Sequence, residues 1–450
     1  MKACTWLGLL LTLSVLGCAA VDPKADYERV ARAIEEATGQ SGAYRAESDE
    51  TTAARVDALL EGGLSVAEAV EIALLNNPSL QATVLEVGLA RADVVQSALL
   101  SNPSLGGLIR FPLGEGKTSI EAGLAHNLIE LWHRPPRRRF AEEVLERAVL
   151  RVAYEGATLA SEIRETFFSA VAARQSVLVE EQNLQTAQSL LDMTLARQEA
   201  GAATEIESNT ARTELLTQEV ALRSARFAAF DFKRRLTVLL GLGIDPGEID
   251  LAEPLPPLPQ WKLNRARLLT IASAHRLDLA AAEAGIRAAE QALSLEKRLF
   301  LRSAGGGVAL ETEGSDVALG PSVSLEIPVF DQNQARIAKA RMRIDQATRV
   351  FREISVAVAQ EVRGAHEQLL ASLDIARFYQ ERIAPLSEAN LELTREAFLA
   401  GKTSFLTVLE SQKTVLAVRR QSIERSVDLS LSVTEIEAAC GRPLNELLTP

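Results

Sequence analysis

The sequence predicts a mainly helical protein with a small β part, built as two copies of one unit made of long coiled-coil hairpins and a β-hairpin. Three observations predict it. The second half of the chain repeats landmarks of the first at a shift of 199 to 200 residues. Apolar residues recur at alternating spacings of four and three through very long stretches, as in a coiled-coil seam. In each copy two short segments alternate apolar with polar residues, the period of a half-exposed strand.

Composition narrows the class before any element is placed. A chain of 450 residues with 47% apolar and 24% charged residues has ample material for a core and is not a disordered polymer. The net charge of −12 argues against a general nucleic-acid binder, which must neutralise phosphates. Three cysteines, two of them Cys4 and Cys18, leave only Cys440 for the body of the chain, so no disulfide framework holds the fold.

The amino terminus reads as an export address. Met1 and Lys2 precede an apolar run from Trp6 to Leu16 that is too short to span a bilayer and is placed as the hydrophobic region of a secretory signal. The run ends Val15-Leu16-Gly17-Cys18-Ala19, which resembles a bacterial lipobox. The expected organisation is a signal peptide over 1–17, with Cys18 as lipid anchor of a flexible segment over 18–63. Ala19 resembles the residue found in lipoproteins sorted to the outer membrane. Beyond Cys18 no stretch of about 18 apolar residues occurs, so any further crossing of a membrane must use strands.

The first copy spans 64–252 and opens with a helix from about Ser65 to Leu100. Ser65 with Glu68 three positions on predicts a capping box, and Asn76-Asn77-Pro78 predicts a kink. Asn102-Pro103 ends the helix, and strands follow over about Ser104 to Leu113 and Thr118 to Leu128. A long helix from about Arg137 to Ala200 carries Leu145, Val149, Val152, Gly156, Leu159 and Ile163 as its seam. Gly201-Ala202-Ala203-Thr204 stops it, and a shorter helix returns to about Leu240. A proline-rich connector over 253–263 separates the copies.

The second copy spans 264–447 and repeats the order, leaving a tail over 448–450. A helix from about Asn264 to Leu301 leads to strands near Ser303 to Thr312 and Asp316 to Ile327. Pro321 falls mid-strand and predicts a bulge or bend, and Gly305-Gly306-Gly307 predicts close packing. A long helix from about Gln332 to Ala400, a turn at Gly401 and a helix from Ser404 to Ala439 complete it.

Lengths then constrain the assembly. At 1.5 Å per residue a helix of roughly 60 residues reaches about 90 Å, close to two helices of roughly 35 residues laid end to end. The strands present one face suited to lipid and one suited to water. Four strands per chain cannot close a barrel, and an open edge is not tolerated in lipid, so several chains must contribute. Three chains supply twelve strands and two chains supply eight.

With this doubled order on an exported chain, the sequence resembles the TolC-type outer-membrane efflux factor family over about Leu64 to Leu447. The matching pieces are Leu64-Ser65-Val66-Ala67-Glu68-Ala69 with Asn76-Asn77-Pro78, then Ile327-Pro328-Val329-Phe330-Asp331, and most clearly Ala400-Gly401-Lys402-Thr403-Ser404-Phe405-Leu406-Thr407-Val408-Leu409-Glu410. The resemblance implies a homotrimer with a twelve-stranded outer-membrane barrel continuous with a helical tunnel through the periplasm. It implies a passive conduit, without cofactor or enzymatic activity, fed by an inner-membrane pump, for instance of the RND type, through a periplasmic adaptor protein.

The resemblance also assigns residues. The tips Gly201, Ala202, Gly401, Lys402 and Thr403 match positions that meet the adaptor, while Glu205, Phe398 and Glu410 match the aperture, where carboxylates favour cations. Thr403 stands where some relatives carry arginine, so a charge-locked closed state is not expected through it. Ile129-Glu130-Leu131 leading into Arg137-Arg138-Arg139-Phe140-Ala141 is similar to metal-efflux relatives of the cobalt, zinc and cadmium kind.

Other chemistry is disfavoured. Gly401-Lys402-Thr403 imitates the end of a phosphate loop, but Glu396 occupies the position of the required first glycine. His126, His133, His275 and His366 share no metal-ligand spacing. The basic run Arg134, Arg137, Arg138 and Arg139 falls where a membrane strand joins a helix, and there it suits anionic headgroups of outer-membrane lipid better than nucleic acid. A non-conducting, secreted coiled-coil lipoprotein is the alternative function.

Overall fold

A computed structural model describes residues 20–42, 44, 49–114, 116–259, 263–313 and 315–448. The expected signal peptide, Cys18, part of the connector and the last two residues lie outside the described residues. The chain begins with helices α1 Lys24–Thr38 and α2 Asp49–Leu60. The first copy follows as α3 Val66–Asn76, α4 Pro78–Ala98, strands β1 Ser104–Arg110 and β2 Ser119–Asn127, α5 Glu130–Glu199 and α6 Glu205–Leu239. The second runs α7 Arg265–His275, α8 Leu277–Arg298, strands β3 Ala304–Glu313 and β4 Asp316–Leu325, then α9 Gln334–Phe378. A π-helical turn, Tyr379–Ile383, separates α9 from α10 Ala384–Leu399, and α11 Phe405–Cys440 and α12 Leu444–Leu448 end the chain.

A capping box opens the first copy. The Glu68 N–H donates to the Ser65 hydroxyl while the Ser65 N–H donates to the Glu68 carboxylate, which satisfies two of the helix's orphan donors. Hydrogen bonds from the Ser65 hydroxyl and N–H to its carboxylate hold the Glu68 carboxyl below the usual range. Asn77 then sits extended (φ −66°, ψ 117°) because the following proline crowds an α-helical residue before it.

The second copy breaks at the equivalent place without a proline. The expectation of one uninterrupted helix there is corrected: Arg276 is extended (φ −66°, ψ 120°) between α7 and α8. The reason is polar. Arg276 donates to the Ala438 carbonyl at 3.2 Å and pairs with Glu361 at 2.9 Å, so the break lets one buried side chain serve the end of α11. In the first copy Asn76 and Asn77 do the same for α6, donating to Leu240 O at 3.0 Å and Leu239 O at 2.8 Å.

Helix α5 starts seven residues earlier than expected and contains Pro135 and Pro136. Pro136 has no N–H for Trp132 O, and Arg298 donates to that carbonyl instead at 3.0 Å, while His133 Nε2 lies 3.2 Å from Arg298 O. The basic run therefore lies inside the helix, not in a strand-to-helix joint. Of the expected seam, Leu145, Val149, Val152, Gly156 and Ile163 are buried and Leu159 is half-buried.

The segment expected to be flexible over 18–63 contains α1, which is packed. Tyr27, Val30 and Ile34 are buried, and the buried Asp26 carboxylate takes two hydrogen bonds from Arg91, at 2.6 and 2.8 Å. That charge-assisted pair gives the helix a fixed seat.

The four strands make one antiparallel sheet in the order β1-β2-β3-β4. The β3–β4 register runs unbroken from Ala304 opposite Leu325 to Glu313 opposite Asp316, so the bulge expected at Pro321 is absent. Glu326 N–H donates to Ser303 O, which places Pro321 opposite Val308 in the alternate, non-hydrogen-bonded set. Its missing donor faces the outer edge of β4, so no hydrogen bond within the four-stranded sheet is lost. Glycines at 305 and 307 admit neighbours closely: a Cβ on Gly307 would collide with Leu124 O, and one on Gly305 would lie 2.5 Å from Ser324 Oγ.

The described residues form two compact units. One comprises those up to Arg29, with Leu85–Arg151 and Asp278–Ile354, and holds the sheet. The other comprises Val30–Val84, Val152–Leu277 and the chain from Ser355 onward, with a core that includes Ile72, Ile163, Phe167, Leu236, Leu369 and Ile436. In this second unit Leu64 bridges Leu251, tying the start of the first copy to its end.

Candidate functional site

Register sorts the strand residues onto two faces, because alternate side chains point to opposite sides. One face carries Leu105 and Ile109 of β1, Ile120, Ala122 and Leu124 of β2, Val308 and Leu310 of β3, and Val317, Leu319, Pro321, Val323 and Leu325 of β4. His126 and Thr312 are its only polar members. The opposite face carries Ser104, Arg110, Ser119, Glu121, Asn127, Glu311, Glu313, Asp316, Ser322 and Ser324, with Leu108 its single large apolar residue. Arg110 and Glu121 pair across it at 3.0 Å.

The apolar face is not turned into a core. Leu105 is 81% exposed and Val323 is 85% exposed. Strands β1 and β4 each have one partner, so both outer edges keep unpaired backbone groups. Among the described residues no helix is long and apolar enough to cross a membrane.

The two tip turns are built alike. After α5, Gly201 takes φ 72°, Gly201 N–H donates to Gln198 O and Ala202 N–H to Arg197 O. After α10, Gly401 takes φ 68°, Gly401 N–H donates to Phe398 O and Lys402 N–H to Ala397 O. Each is the paired closure that satisfies a helix's last carbonyls and needs a left-handed residue. Gly201, Ala202, Gly401 and Lys402 are exposed, and Thr403 is half-buried.

The turns differ in what starts the next helix. Thr204 and Glu207 form a full capping box, whose hydrogen bonds hold the Glu207 carboxyl below its usual range. Ser404 caps α11 with Thr407 at the corresponding position, so no carboxylate takes part. Glu205 and Glu410 are both exposed.

Phe398 does not line an opening. It is 5% exposed, packed with Phe405, Val408, Leu409, Leu190, Leu191 and Ala211, and the Arg197 guanidinium lies 4.3 Å over its ring. Its place on the apolar seam between hairpins removes it from the aperture set.

Further along the same hairpins a polar node crosses the seam. Arg420 of α11 donates to the buried Glu180 of α5, in a two-point contact with one bond of 2.7 Å, and to Gln218 of α6 at 2.9 Å. Gln218 in turn donates to Glu214 at 2.7 Å, and Lys413 pairs with Glu214 at 3.2 Å. Burial by itself would raise the Glu180 carboxyl, but hydrogen bonds from Arg420 and Asn183 and the Arg420 charge outweigh it and leave it lowered.

The basic run lies in the early turns of α5. Arg134, Arg138 and Arg139 are exposed, and Arg138 bonds Glu142 at 2.8 Å. Arg137 is half-buried, with Nε and Nη2 enclosed and lacking a partner within the chain. Among the described residues no group of three or more His, Cys, Asp or Glu is placed to hold a metal ion.

The architecture has counterparts in known proteins. The family description "Outer membrane efflux protein" matches residues 263–442, the second copy. Residues 263–442 therefore carry the pattern of the outer membrane efflux protein family. The chain is 24% identical over 316 residues to the cobalt-zinc-cadmium resistance protein CzcC of Cupriavidus metallidurans, covering 69% of this chain and 74% of CzcC. It is also 24% identical over 296 residues to the pyoverdine export outer membrane protein OpmQ of Pseudomonas putida, covering 64% of this chain and 62% of OpmQ. Its fold is similar to that of the outer-membrane channel OprN, with a TM-score of 0.71 and 18% identity over 90% of this chain and 95% of OprN. The match to the second copy is that of an outer-membrane efflux channel.

Arg276 and Arg420 escaped the sequence reading. Arg276 was detectable in principle, since the repeat aligns it with Asn77; Arg420 carries no such mark.

Proposed function

We propose that three copies of this chain close their sheets into one twelve-stranded barrel and act as a passive conduit. The observation that carries the reading is the sheet itself: one exposed apolar face, one polar face and two open edges on only four strands. Sister copies satisfy the edges, lipid covers the apolar face, and the polar face lines water. Substrate reaches the conduit from an inner-membrane pump through a periplasmic adaptor that meets the exposed tips at Gly201, Ala202, Gly401, Lys402 and Thr403.

Exposed Glu205 and Glu410 lie at or near these tips and give the aperture its cation preference. Cargo follows the pump that delivers it; the relatives are named for cobalt-zinc-cadmium resistance and for pyoverdine export.

Cys18 anchors the chain to the membrane. Only eight residue steps, at most about 29 Å of extended chain, take the chain from it to Asp26. Asp26 is seated against Arg91 on α4, the helix that leads into β1. Arg134, Arg138 and Arg139 lie on α5 within a few turns of β2, where they meet anionic headgroups.

Ion conduction in planar bilayers tests the reading. Purified protein is expected to give discrete conductance steps, and the double variant Glu205→Lys with Glu410→Lys is expected to shift the reversal potential towards anions. Absence of conduction under conditions where the protein inserts supports the non-conducting structural lipoprotein instead.

A further inference from the structure

Near the second tip the helices leave a space unfilled. A cavity of about 300 Å³ lies between α5, α10 and α11, at the small end of the range for ligand pockets. Leu190 and Met193 of α5, Phe398 of α10 and Val408 of α11 give it apolar walls.

Two donors without acceptors complete the lining. Gln412 of α11 is 1% exposed, yet its Nε2 donates to nothing within the chain. An enclosed, unpaired N–H is destabilising, and a leucine in its place would avoid that cost. The last torsion of a glutamine is soft, so this N–H is free to turn to an acceptor placed in the cavity. Arg395 of α10 lines the same cavity half-buried, and among the described residues it pairs with no carboxylate.

The cavity supplies no anion of its own. No Asp or Glu lines it, although the chain carries a net charge of −12. The Thr186 and Ser189 hydroxyls at its rim donate to their own helix, at Gln182 O and Gln185 O. A guanidinium and a buried amide above an apolar floor suit an anion with an apolar body.

The internal duplication supplies a control. Shifted by 200 residues, Arg395, Phe398, Val408 and Gln412 fall on Leu195, Gln198, Ser208 and Arg212, while Gly401 falls on Gly201. The turn that a hairpin needs in order to form is therefore present in both copies, whereas the donor pair and its apolar floor belong to the second alone.

We propose that this cavity binds a small amphipathic carboxylate, whose apolar body lies against Met193, Phe398 and Val408 and whose carboxylate takes hydrogen bonds from Arg395 and Gln412. The site lies within one chain, so it goes beyond the channel reading and does not depend on it.

Calorimetric titration of the intact chain in amphipol tests it, with 4-phenylbutyrate as the probe and the amide and amine of the same skeleton as controls. The carboxylate is expected to bind at least about ten-fold more tightly than the amide, and the amine is expected not to bind. Arg395→Gln and Gln412→Leu are each expected to weaken the carboxylate at least about ten-fold. Gln412→Leu also removes a buried unpaired donor, so this variant is expected to unfold at a higher temperature while it loses the ligand, which separates lost binding from lost fold. Decanoate, titrated in parallel, distinguishes an alkyl acid derived from lipid from an aryl acid, and selective binding of either supports the site. Equal affinity for carboxylate and amide, unchanged affinity in both variants, or no binding of either acid would overturn the proposal. Loss of conduction or of the trimer in the same sample would bear on the channel reading alone.

Discussion

Gly201 and Gly401 take φ 72° and 68°, a region that penalises any side chain by roughly 1 kcal/mol even where space is open, as it is at both. Gly401→Ala is therefore expected to destabilise the second hairpin by about 1 kcal/mol, read as faster hydrogen exchange in the last turn of α10 without change in the sheet. These glycines were legible in the sequence because a glycine after a long periodic run has one common reason to be there.

Arg420 was not legible, because a lone arginine on a helix is ordinarily solvated. Replacing it with Met leaves Glu180 buried without its cation. Allowing for the partial exposure of Arg420, the expected loss is about 2 kcal/mol, seen as a lowered unfolding midpoint that Glu180→Gln in the same chain partly restores.

The two caps make a pH prediction at the same scale. The native Glu207 carboxyl is depressed by its hydrogen bonds to Thr204, so its contribution to the first tip is present above the unfolded carboxyl's pKa and is lost as pH falls through the native one. A spin label at the exposed Ile206 is expected to gain mobility as pH falls below the ordinary carboxylate range. A label at the equivalent Leu406 is not, because Ser404 and Thr407 carry no carboxylate. Glu207→Gln removes the difference; equal acid response at both sites contradicts it.

Among elements, what showed in the sequence was what local chemistry dictates. The break at Asn77 is announced by Pro78, but the break at Arg276 depends on carbonyls more than 160 residues away. Pro135 and Pro136 argued for a later start to α5, and Arg298, remote in sequence, makes the earlier start tolerable by bonding Trp132 O. Pro321 pointed to a bulge because sequence does not say which edge of a strand is free. The strand faces were legible through strict alternation. Val323→Arg, on the apolar face, is expected to cost about 2 kcal/mol or more in membrane insertion, while Ser322→Arg, one residue away on the polar face, is tolerated. Folding yield into vesicles separates them, and equal yields contradict the assignment of faces.

For the whole molecule, the duplicated order was readable from landmarks at a fixed shift, and the described elements keep that order except that the π-helical turn Tyr379–Ile383 interrupts the second long helix. The aperture was read less well. Phe398 aligned with a gate position in sequence, yet its ring is enclosed between hairpins, because a helix residue's neighbours are set by the packing of four helices and not by its place in a motif. The central claim is that a sheet with open edges and an outward apolar face is complete only with copies of itself. The mass of the particle extracted in mild detergent, measured under native conditions, tests this most directly. Three chains per particle is the predicted result, and a stable particle of one chain would contradict the account.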